Sequence, residues 1–593
     1  MKTNVFLNPK IILALIILYP LLLIWQGLDF TDMGYSLTNY QQIFNDPESV
    51  SYGFGLWLTN IIGGVWILLF GDSLGLLGAN LAGVLVLYLT IGLSYLLLKP
   101  YIDRKYLLIG LLFTLIFTKW FFLLHYDNLT ALFFVASAFF LINGLESAKN
   151  WKILTSGLIL GLNIFIRLPN ILGFLLMLSI FFYGYINKTS IIPQAKQAIS
   201  FISGYVLAIL LALFTMKMLG HYEIFKDSIN MLFNVSSDPQ GHHNIGVLIS
   251  TFIREYKRVI VYLSVGILSV LMVFKLLSLF KSHNLYYVLI TMLGIVALLV
   301  LLIRLLYHNL NLLHYSDVVF LVLGILYMVL FLYATGIEKS NKQLRLISFV
   351  ALLILIITPL GSGMGLRLSI YGMWIPIPIA FAYISRLKEI KVKISKVSDS
   401  DSNNFMFGLS SSETKVFRNF VFILLVMFSL YVSFVYTYND SRNRIKMLYS
   451  VKHPRLRGIF TTQERAKVTQ ELLDEMPKYV KEDDYLLAYN NIPMLYFLTK
   501  TKPYLYNSWM EDELPYKLRQ SLEKAIKERP CLPVVIKAKY TANDSYWPRR
   551  NALLKLSDIQ KENMTTIENF TKLNRYSIVW ENDYFEILIP LVK

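Results

Sequence analysis

Two carboxylates, Asp29 and Asp32, follow directly on the first long apolar run, in the stretch QGLDFTDMGYSLTNYQQIF. The segment after them, Tyr35–Phe44, carries apolar side chains at helical spacing. Acidic side chains at a membrane surface are costly to hold there and are usually functional. A solvated loop whose aspartates end one helix and start the next would also explain the pair. The pair is therefore a candidate acid–base site.

Further polar residues lie where later apolar runs end. His125 and Asp127 follow one such run, and Arg167 ends another. An arginine at the end of an apolar helix is costly unless its side chain reaches the interface or meets an anion. Phosphate is the anion that its planar guanidinium fits best. The candidates for phosphate binding are Arg167, Arg304, Arg367 and Lys119, although snorkelling explains the lysine more simply.

The histidines are candidates for binding substrate or metal. Most isolated histidines are neither ligands nor bases, and the pair in DPQGHHN would suit a metal only with acids close in space. The sequence therefore predicts no certain cofactor and leaves a divalent cation, Mg or Mn, open. The histidines at outer helix ends or in outer loops are His125, His221, His242, His243, His308 and His314.

The composition is that of a membrane protein. Of 593 residues, 55% are hydrophobic and only 16% are charged, and the mean hydropathy is +0.53. A soluble protein of this size cannot bury so much apolar surface. The net charge of +18 comes from basic residues between apolar runs, which is the pattern of cytoplasmic loops. It indicates topology and attraction to anionic lipid, not nucleic-acid binding.

The distribution of basic residues predicts about thirteen membrane helices with the N-terminus in the cytoplasm. The short run Leu56–Phe70 is expected to lie in the outer interface, because crossing would place Arg104 and Lys105 outside. An odd number of helices puts the C-terminal part outside the cytoplasm. The predicted location is the bacterial cytoplasmic (inner) membrane. The single cysteine, Cys531, excludes an intrachain disulfide.

The chain divides into a membrane part, residues 1–437, and an extracytoplasmic α/β domain, residues 438–593. The membrane part is expected to hold outer loops at 29–73 and 221–258 and a cytoplasmic linker at 387–416. Alternation of helical and strand patterns predicts the α/β domain. Its predicted helices are Thr462–Tyr479 and Glu511–Lys527, and its predicted strands are Tyr485–Tyr489, Pro533–Ala538, Tyr576–Val579 and Tyr584–Ile589.

The chain resembles the GT-C membrane glycosyltransferases of the protein O-mannosyltransferase and aminoarabinose-transferase type. The likeness lies in the acidic motif DFTDMGY, in the segment LWLTNIIGGVWILLFGDSLGLLGANLAGV, in HYDNLTALFFVASAFFL and in LTSGLILGLNIFIRLPNILG. It covers Met1–Ile180 by motif and the rest of the membrane part by layout. The resemblance implies a polytopic α-helical membrane protein of GT-C type with a small C-terminal domain.

The resemblance also implies a reaction. Such an enzyme transfers a sugar from a polyprenyl-phosphate donor to a lipid, glycan or protein acceptor at the outer face of the membrane. The leaving group is good, so the main requirement is a base that takes the acceptor's proton. Many relatives carry Asp-Glu in the first loop; here Met33 follows Asp32, which makes Asp32 the equivalent base of a single inverting displacement.

The remaining candidates receive supporting roles from the same resemblance. Asp127 or Asp29 would orient the acceptor or hold a metal, and the loop 221–258 would order over the substrate. Arginines would stabilise the phosphate that is left behind. Three other functions stay open: a polysaccharide polymerase or ligase of the envelope, a transporter, and a structural or assembly protein. A transporter would place charges near the middle of the membrane and often show an inverted repeat.

Overall fold

The computed structural model describes residues 8–118, 122–237, 245–279, 292, 315–338, 340–361, 363–387, 390–394, 405–409, 411–435, 437–441, 443–511, 513–549 and 556–591. Within these residues, the first three quarters of the chain are a bundle of helices. Three 3-10 segments interrupt it, at Pro47–Leu56, Leu168–Met177 and Gly365–Gly372. The α-helices are Pro9–Leu23 (α1), Asp32–Gln42 (α2), Trp57–Leu98 (α3), Arg104–Thr118 (α4), Tyr126–Glu146 (α5), Asn150–Ile166 (α6), Leu178–Asn187 (α7), Ile191–Met218 (α8), Tyr222–Ser237 (α9), Ile245–Leu279 (α10), Tyr315–Thr335 (α11), Lys342–Ile357 (α12), Pro376–Arg386 (α13) and Ser411–Val435 (α14).

Local sequence explains where several helices begin. Pro9 is the first residue of α1, and the Asn8 side chain caps that helix by accepting from Lys10 N. Asn341 caps α12 by accepting from Leu344 N at 2.7 Å. Such caps satisfy backbone donors that the first helical turn leaves without partners.

Five helical stretches of the described chain are long and apolar enough to cross a membrane. A sixth is reached if the 3-10 segment Gly365–Gly372 and α13, which meet at 78°, are counted as one span. The count of about thirteen membrane helices therefore stays a prediction. The five stretches are Pro47–Leu98, Tyr126–Glu146, Leu168–Asn187, Ile191–Met218 and Tyr315–Thr335.

The helices meet at two opposite ends of the bundle, which differ in charge. At the acidic end, defined by Asp29, Asp32, Asp127 and Arg167, the end of α6 contacts the end of α12 through a hydrogen bond from Arg167 to Thr358 O. At the basic end, the end of α7 packs against the start of α8, where the Gln194 amide lies against Gly184. The basic end is defined by the exposed cations Lys149, Lys188 and Lys196 together with the half-buried Arg345.

The predicted interfacial run Leu56–Phe70 is helical, but it is not a separate element. It is the first part of α3, which continues to Leu98 through a break at Gly75. Gly75 has φ +50° and ψ −135°, a conformation that only glycine adopts readily. A Cβ there would lie 2.2 Å from the carbonyl oxygen of Arg455, so the glycine also permits a close approach by the C-terminal part.

Two segments predicted as loops contain regular secondary structure, and their positions relative to the membrane stay predictions. The segment 221–258 is formed largely by α9 and the first part of α10. Ile224 and Phe225 of α9 pack against the bundle core, so this amphipathic segment is stabilised without the long apolar run of a membrane helix. The linker 387–416 contains an antiparallel hairpin, Ile390–Ile394 (β1) with Phe405–Leu409 (β2).

The C-terminal part is an α/β unit, as predicted. Its five-stranded sheet orders the strands as Lys502–Pro503 (β6), Tyr485–Tyr489 (β5), Val534–Ala538 (β7), Phe585–Pro590 (β9) and Tyr576–Glu581 (β8). The pairs β6-β5 and β5-β7 are parallel, and the pairs β7-β9 and β9-β8 are antiparallel. The two remaining strands of the C-terminal part are Tyr449–Ser450 (β3) and Phe460–Thr461 (β4). The helices of the C-terminal part are Gln463–Glu475 (α15), Met494–Thr499 (α16), Pro515–Glu528 (α17) and Asp558–Leu573 (α18), of which the last was not predicted.

The core of this C-terminal unit includes the segment that follows α1. Leu28, Phe30 and Leu37 are buried in the same apolar cluster as Leu486 and Met494. Backbone contacts join the same regions, since Met494 N donates to Phe30 O at 3.0 Å. The acidic stretch of the N-terminal part is therefore packed as a component of the C-terminal unit.

Candidate active site

Asp32 is the first residue of α2, and residues that follow α14 hold its carboxylate. Its Oδ2 accepts a hydrogen bond from the Tyr438 hydroxyl at 2.7 Å and a longer one from the Asn439 amide at 3.3 Å. Asn439 also donates to Thr31 Oγ1 at 2.8 Å. Burial raises the pKa of the Asp32 carboxyl, and the hydrogen bond from Tyr438 opposes this rise. A carboxylate with a raised pKa is a better proton acceptor.

Asp29 occupies a different environment from Asp32, although only two residues separate them. It is fully buried, and its oxygens accept from Thr31 N at 2.9 Å, Thr31 Oγ1 at 2.6 Å and Met33 N at 2.9 Å. Burial, and then the charge of Asp32, raise the pKa of Asp29 to about 6. Because local donors occupy both oxygens, the geometry gives Asp29 the role of fixing the turn that presents Asp32.

His125 and Asp127 form a buried pair at the start of α5. His125 Nδ1 and Asp127 Oδ1 are 3.0 Å apart, and the same oxygen accepts from Asn128 N at 2.7 Å. Both residues lie within electrostatic reach of Asp32: His125 lowers the pKa of Asp32, and Asp127 raises it. A carboxylate that binds one ring nitrogen fixes the orientation of the imidazole.

Helices α2 and α3 position the segment that leads to this pair. Leu124 N donates to Ala79 O at 3.0 Å, and the Tyr40 hydroxyl donates to Leu124 O at 2.8 Å. A Cβ at Gly83 would lie 1.9 Å from Phe122 O, so the segment can approach α3 only at a glycine.

Arg167 directly follows α6 and is buried at the acidic end. Its Nη1 donates to Thr358 O at 3.1 Å and its Nη2 to Leu360 O at 3.5 Å. These neutral carbonyls orient the guanidinium, and no ion pair in the described part of the chain neutralises it. Arg167 also lies within electrostatic reach of Tyr126. It is therefore a cation available to an anionic ligand.

Tyr126 links this arginine to the 3-10 segment Gly365–Gly372. Its ring meets that of Tyr371 edge-on, with the centroids 6.4 Å apart. Arg367 lies on the same segment and is half-buried, and its Nε has no hydrogen-bond partner among the residues described. The structure thus places Arg367 on an element that contacts the candidate site.

The other candidates separate into one structural residue and several whose positions are not described. His221 is buried; its Nδ1 accepts from Trp57 Nε1 at 3.2 Å, and its ring contacts Phe44 and Phe54. Its contacts are those of a packed core histidine. The candidates outside the described residues are Lys119, His242, His243, Arg304, His308 and His314.

The possible divalent cation stays a prediction. No group of three or more His, Cys, Asp or Glu side chains with metal-binding geometry occurs among the described residues. Backbone and hydroxyl donors bind both oxygens of Asp29, and Tyr438 and Asn439 both donate to Oδ2 of Asp32. No reaction step is therefore assigned to a metal.

Sequence reasoning missed Tyr438 and Asn439. A signal for them exists, because TYND follows α14 just as LDFTD follows α1. Two helices that end on the same side of a membrane bring the residues after them to the same surface. The pattern could have suggested contact between these segments, although not which atoms would meet.

No protein-family model matches the chain, and neither does any curated protein. Among solved structures, it is similar to an oligosaccharyltransferase from Archaeoglobus fulgidus, crystallised with zinc and sulfate. The TM-score is 0.43 at 10% identity, over 89% of this chain and 67% of that one. It is also similar to ArnT from Cupriavidus metallidurans bound to undecaprenyl phosphate, with a TM-score of 0.39 at 10% identity, over 98% of each chain. Similarity of this size does not decide the reaction, which has to be argued from the chain's own residues.

Proposed function

We propose that this chain is an integral-membrane glycosyltransferase that moves a sugar from a polyprenyl-phosphate donor to an acceptor, with Asp32 as the general base. The acceptor class, whether lipid, glycan or protein, stays open. The observation that carries the proposal is the environment of Asp32. Its pKa is raised by burial, Tyr438 and Asn439 fix its position, and the His125–Asp127 pair lies within electrostatic reach.

The chemistry needs one proton acceptor beside one anion-binding group. Asp32 would take the proton of the acceptor's hydroxyl or amine as that atom attacks the anomeric carbon. The bond from the anomeric carbon to the phosphate oxygen breaks, and the polyprenyl phosphate leaves with the electron pair. A single displacement of this kind inverts the anomeric configuration. Arg167, oriented by two carbonyls, would stabilise the negative charge of the departing phosphate.

Replacing Asp32 tests the proposal most directly. Asp32→Asn keeps the shape of the side chain and removes the proton acceptor, so turnover of a polyprenyl-phosphate sugar should fall by about 10²–10⁴-fold with donor binding retained. Asp29→Asn is the matched control: it should lower stability by about 1 kcal/mol through weaker hydrogen bonds from Thr31 and Met33 and reduce turnover far less. Near-normal turnover of Asp32→Asn at equal membrane abundance would remove the proposed base.

We further propose that the acidic end and the C-terminal unit face away from the cytoplasm. The cations at the opposite end support this orientation. Cys531, the single cysteine and an exposed one, provides the test. A membrane-impermeant maleimide should label Cys531 in intact spheroplasts, and it should leave Arg104→Cys in a Cys531→Ser background unlabelled. Labelling at position 104 would reverse the orientation.

A further inference from the structure

A cavity of about 540 Å³ lies at the basic end of the bundle. It is formed where α7 ends, α8 begins and α12 begins, and its lining includes Lys188, Thr189, Gln194 and Arg345. Helix α12 has 16 residues and runs from this cavity to the acidic end, where Thr358 O accepts from Arg167. Arg345, which lines the cavity, precedes Thr358 by 13 residues, so at 1.5 Å per residue the two places are about 20 Å apart. The cavity is therefore separate from the candidate active site.

The polar lining of the cavity is suited to an anion. The Nη2 of Arg345 donates to Ala334 O at 3.4 Å and to Thr335 O at 3.3 Å, which orients the guanidinium. Its Nε is buried and has no hydrogen-bond partner in the described part of the chain. Lys188 ends α7 in the left-handed conformation with φ +55°, so the backbone fixes where its side chain begins. No ion pair among the described residues joins either cation to a carboxylate.

Apolar side chains around the cavity favour a lipid over a free ion. Tyr185, which lines the cavity, is 74% exposed, and Ile191 and Ile192 at the start of α8 are 63% and 65% exposed. Helix α8 is itself apolar enough to cross a membrane. A free phosphate would leave these side chains in contact with water, whereas the acyl chains of a lipid would cover them.

We propose that this cavity binds the phosphate headgroup of an anionic membrane lipid, with Arg345 and Lys188 as its cations. Basic pockets between membrane helices at a cytoplasmic surface bind such headgroups by charge and by hydrogen bonds to phosphate oxygens. The lipid would connect the ends of α7, α8 and α12 at the end of the bundle opposite to Asp32.

The test compares retained lipid in purified full-length protein. Wild type, Lys188→Gln and the double variant Lys188→Gln/Arg345→Gln are placed in nanodiscs of phosphatidylcholine with phosphatidylglycerol, and bound lipid is counted by native mass spectrometry. The control, Lys196→Gln/Lys342→Gln, removes two exposed cations from the same end that do not line the cavity. At about 1 kcal/mol for each cation near a lipid surface, retention of phosphatidylglycerol should fall about fivefold for each lining cation removed.

The outcomes are distinct. Loss of phosphatidylglycerol in the lining variants, with retention in the control, supports the site. Equal loss in the control would mean diffuse attraction and would overturn it, as would unchanged retention in the double variant. In lipid-depleted detergent, the melting temperature is also measured with added phosphatidylglycerol and with inorganic phosphate alone. If phosphate raises it as much as the lipid does, the cavity binds a free anion and the lipid proposal is overturned. If the double variant does not fold, exposed Lys188→Gln alone still decides the question.

Discussion

The two ends of the helical bundle hold their charged side chains in opposite ways. At the acidic end Asp29, Asp127 and Arg167 are 0%, 6% and 7% exposed, and each has named hydrogen-bond partners. At the basic end Lys149 and Lys196 are exposed. A buried charge needs specific hydrogen-bond or ion-pair partners, whereas exposed cations are solvated and can attract anions through their total charge. Individual residues should therefore matter at the acidic end, whereas at the basic end the exposed cations outside the cavity, such as Lys149 and Lys196, should matter only through their total charge.

The largest loss of stability should come from replacing Arg465, which contacts the acidic stretch at Leu28. Its guanidinium is 1% exposed, donates to Leu28 O at 2.9 Å and to Asn439 O at 2.7 Å, and lies 3.5 Å from Asp440 Oδ1. Arg465→Leu leaves a buried carboxylate unpaired, which should cost about 3–5 kcal/mol of stability. Thermal unfolding in detergent measures the loss. Lys149→Gln at the basic end is the control and should change stability by less than about 0.5 kcal/mol; equal effects would abolish the contrast between the ends.

Glu513 tests the contrast between buried and exposed charges inside the C-terminal unit. Burial raises its pKa from 4.5 to about 7, although nearby Lys517 and Asn507 lower it. The folded state then holds a proton that the unfolded chain has released, so stability should fall as the pH rises from 4.5 to 7. Glu513→Gln should remove this dependence and stabilise the protein at pH 8 by up to roughly 3 kcal/mol. Unfolding at pH 5 and pH 8 measures it, with exposed Glu523→Gln as the control; a wild-type stability that does not fall over this range would contradict the prediction.

A smaller effect is expected from Tyr438→Phe, which removes one hydrogen bond from Asp32. That bond lowers the pKa of Asp32, so its loss should raise this pKa further. Less of the base form is then present at a given pH, and the acid limb of the pH–rate profile should move to higher pH. Tyr449→Phe, at an exposed tyrosine of β3, should leave the profile in place. A purely structural role for Tyr438 would lower turnover without moving the limb.

Local sequence patterns were sufficient to predict helices and strands that show regular apolar spacing. Apolar spacing predicted α2 beside Asp32, and short β-rich runs predicted the strands at Tyr485–Tyr489 and Val534–Ala538. The pattern was insufficient at 222–237, because a helix stabilised by packing against the bundle needs only one apolar face and lacks a long apolar run. The pattern was also insufficient in the linker 387–416. There the alternating segment IKVKI forms a strand because it pairs with Phe405–Leu409.

The separate roles of Asp29 and Asp32 could not be predicted from their spacing. Thr31 and Met33, which donate to Asp29, are local, and an N-terminal turn of this kind is a common use of aspartate. The partners of Asp32 come from a distant part of the chain. Only the packing of the C-terminal unit onto α2 shows which of the two carboxylates reaches Tyr438.

The hydrogen bond between Tyr438 and Asp32 spans 406 residues of sequence. A ribosome adding about 5–20 residues per second needs roughly 20–80 s to make that length. Throughout this interval the N-terminal helices are already synthesised, yet Asp32 has neither of the partners that position it. Any nascent or prematurely terminated chain that ends before residue 438 would therefore carry the candidate base without its support, so the order of biosynthesis itself would delay the start of catalysis.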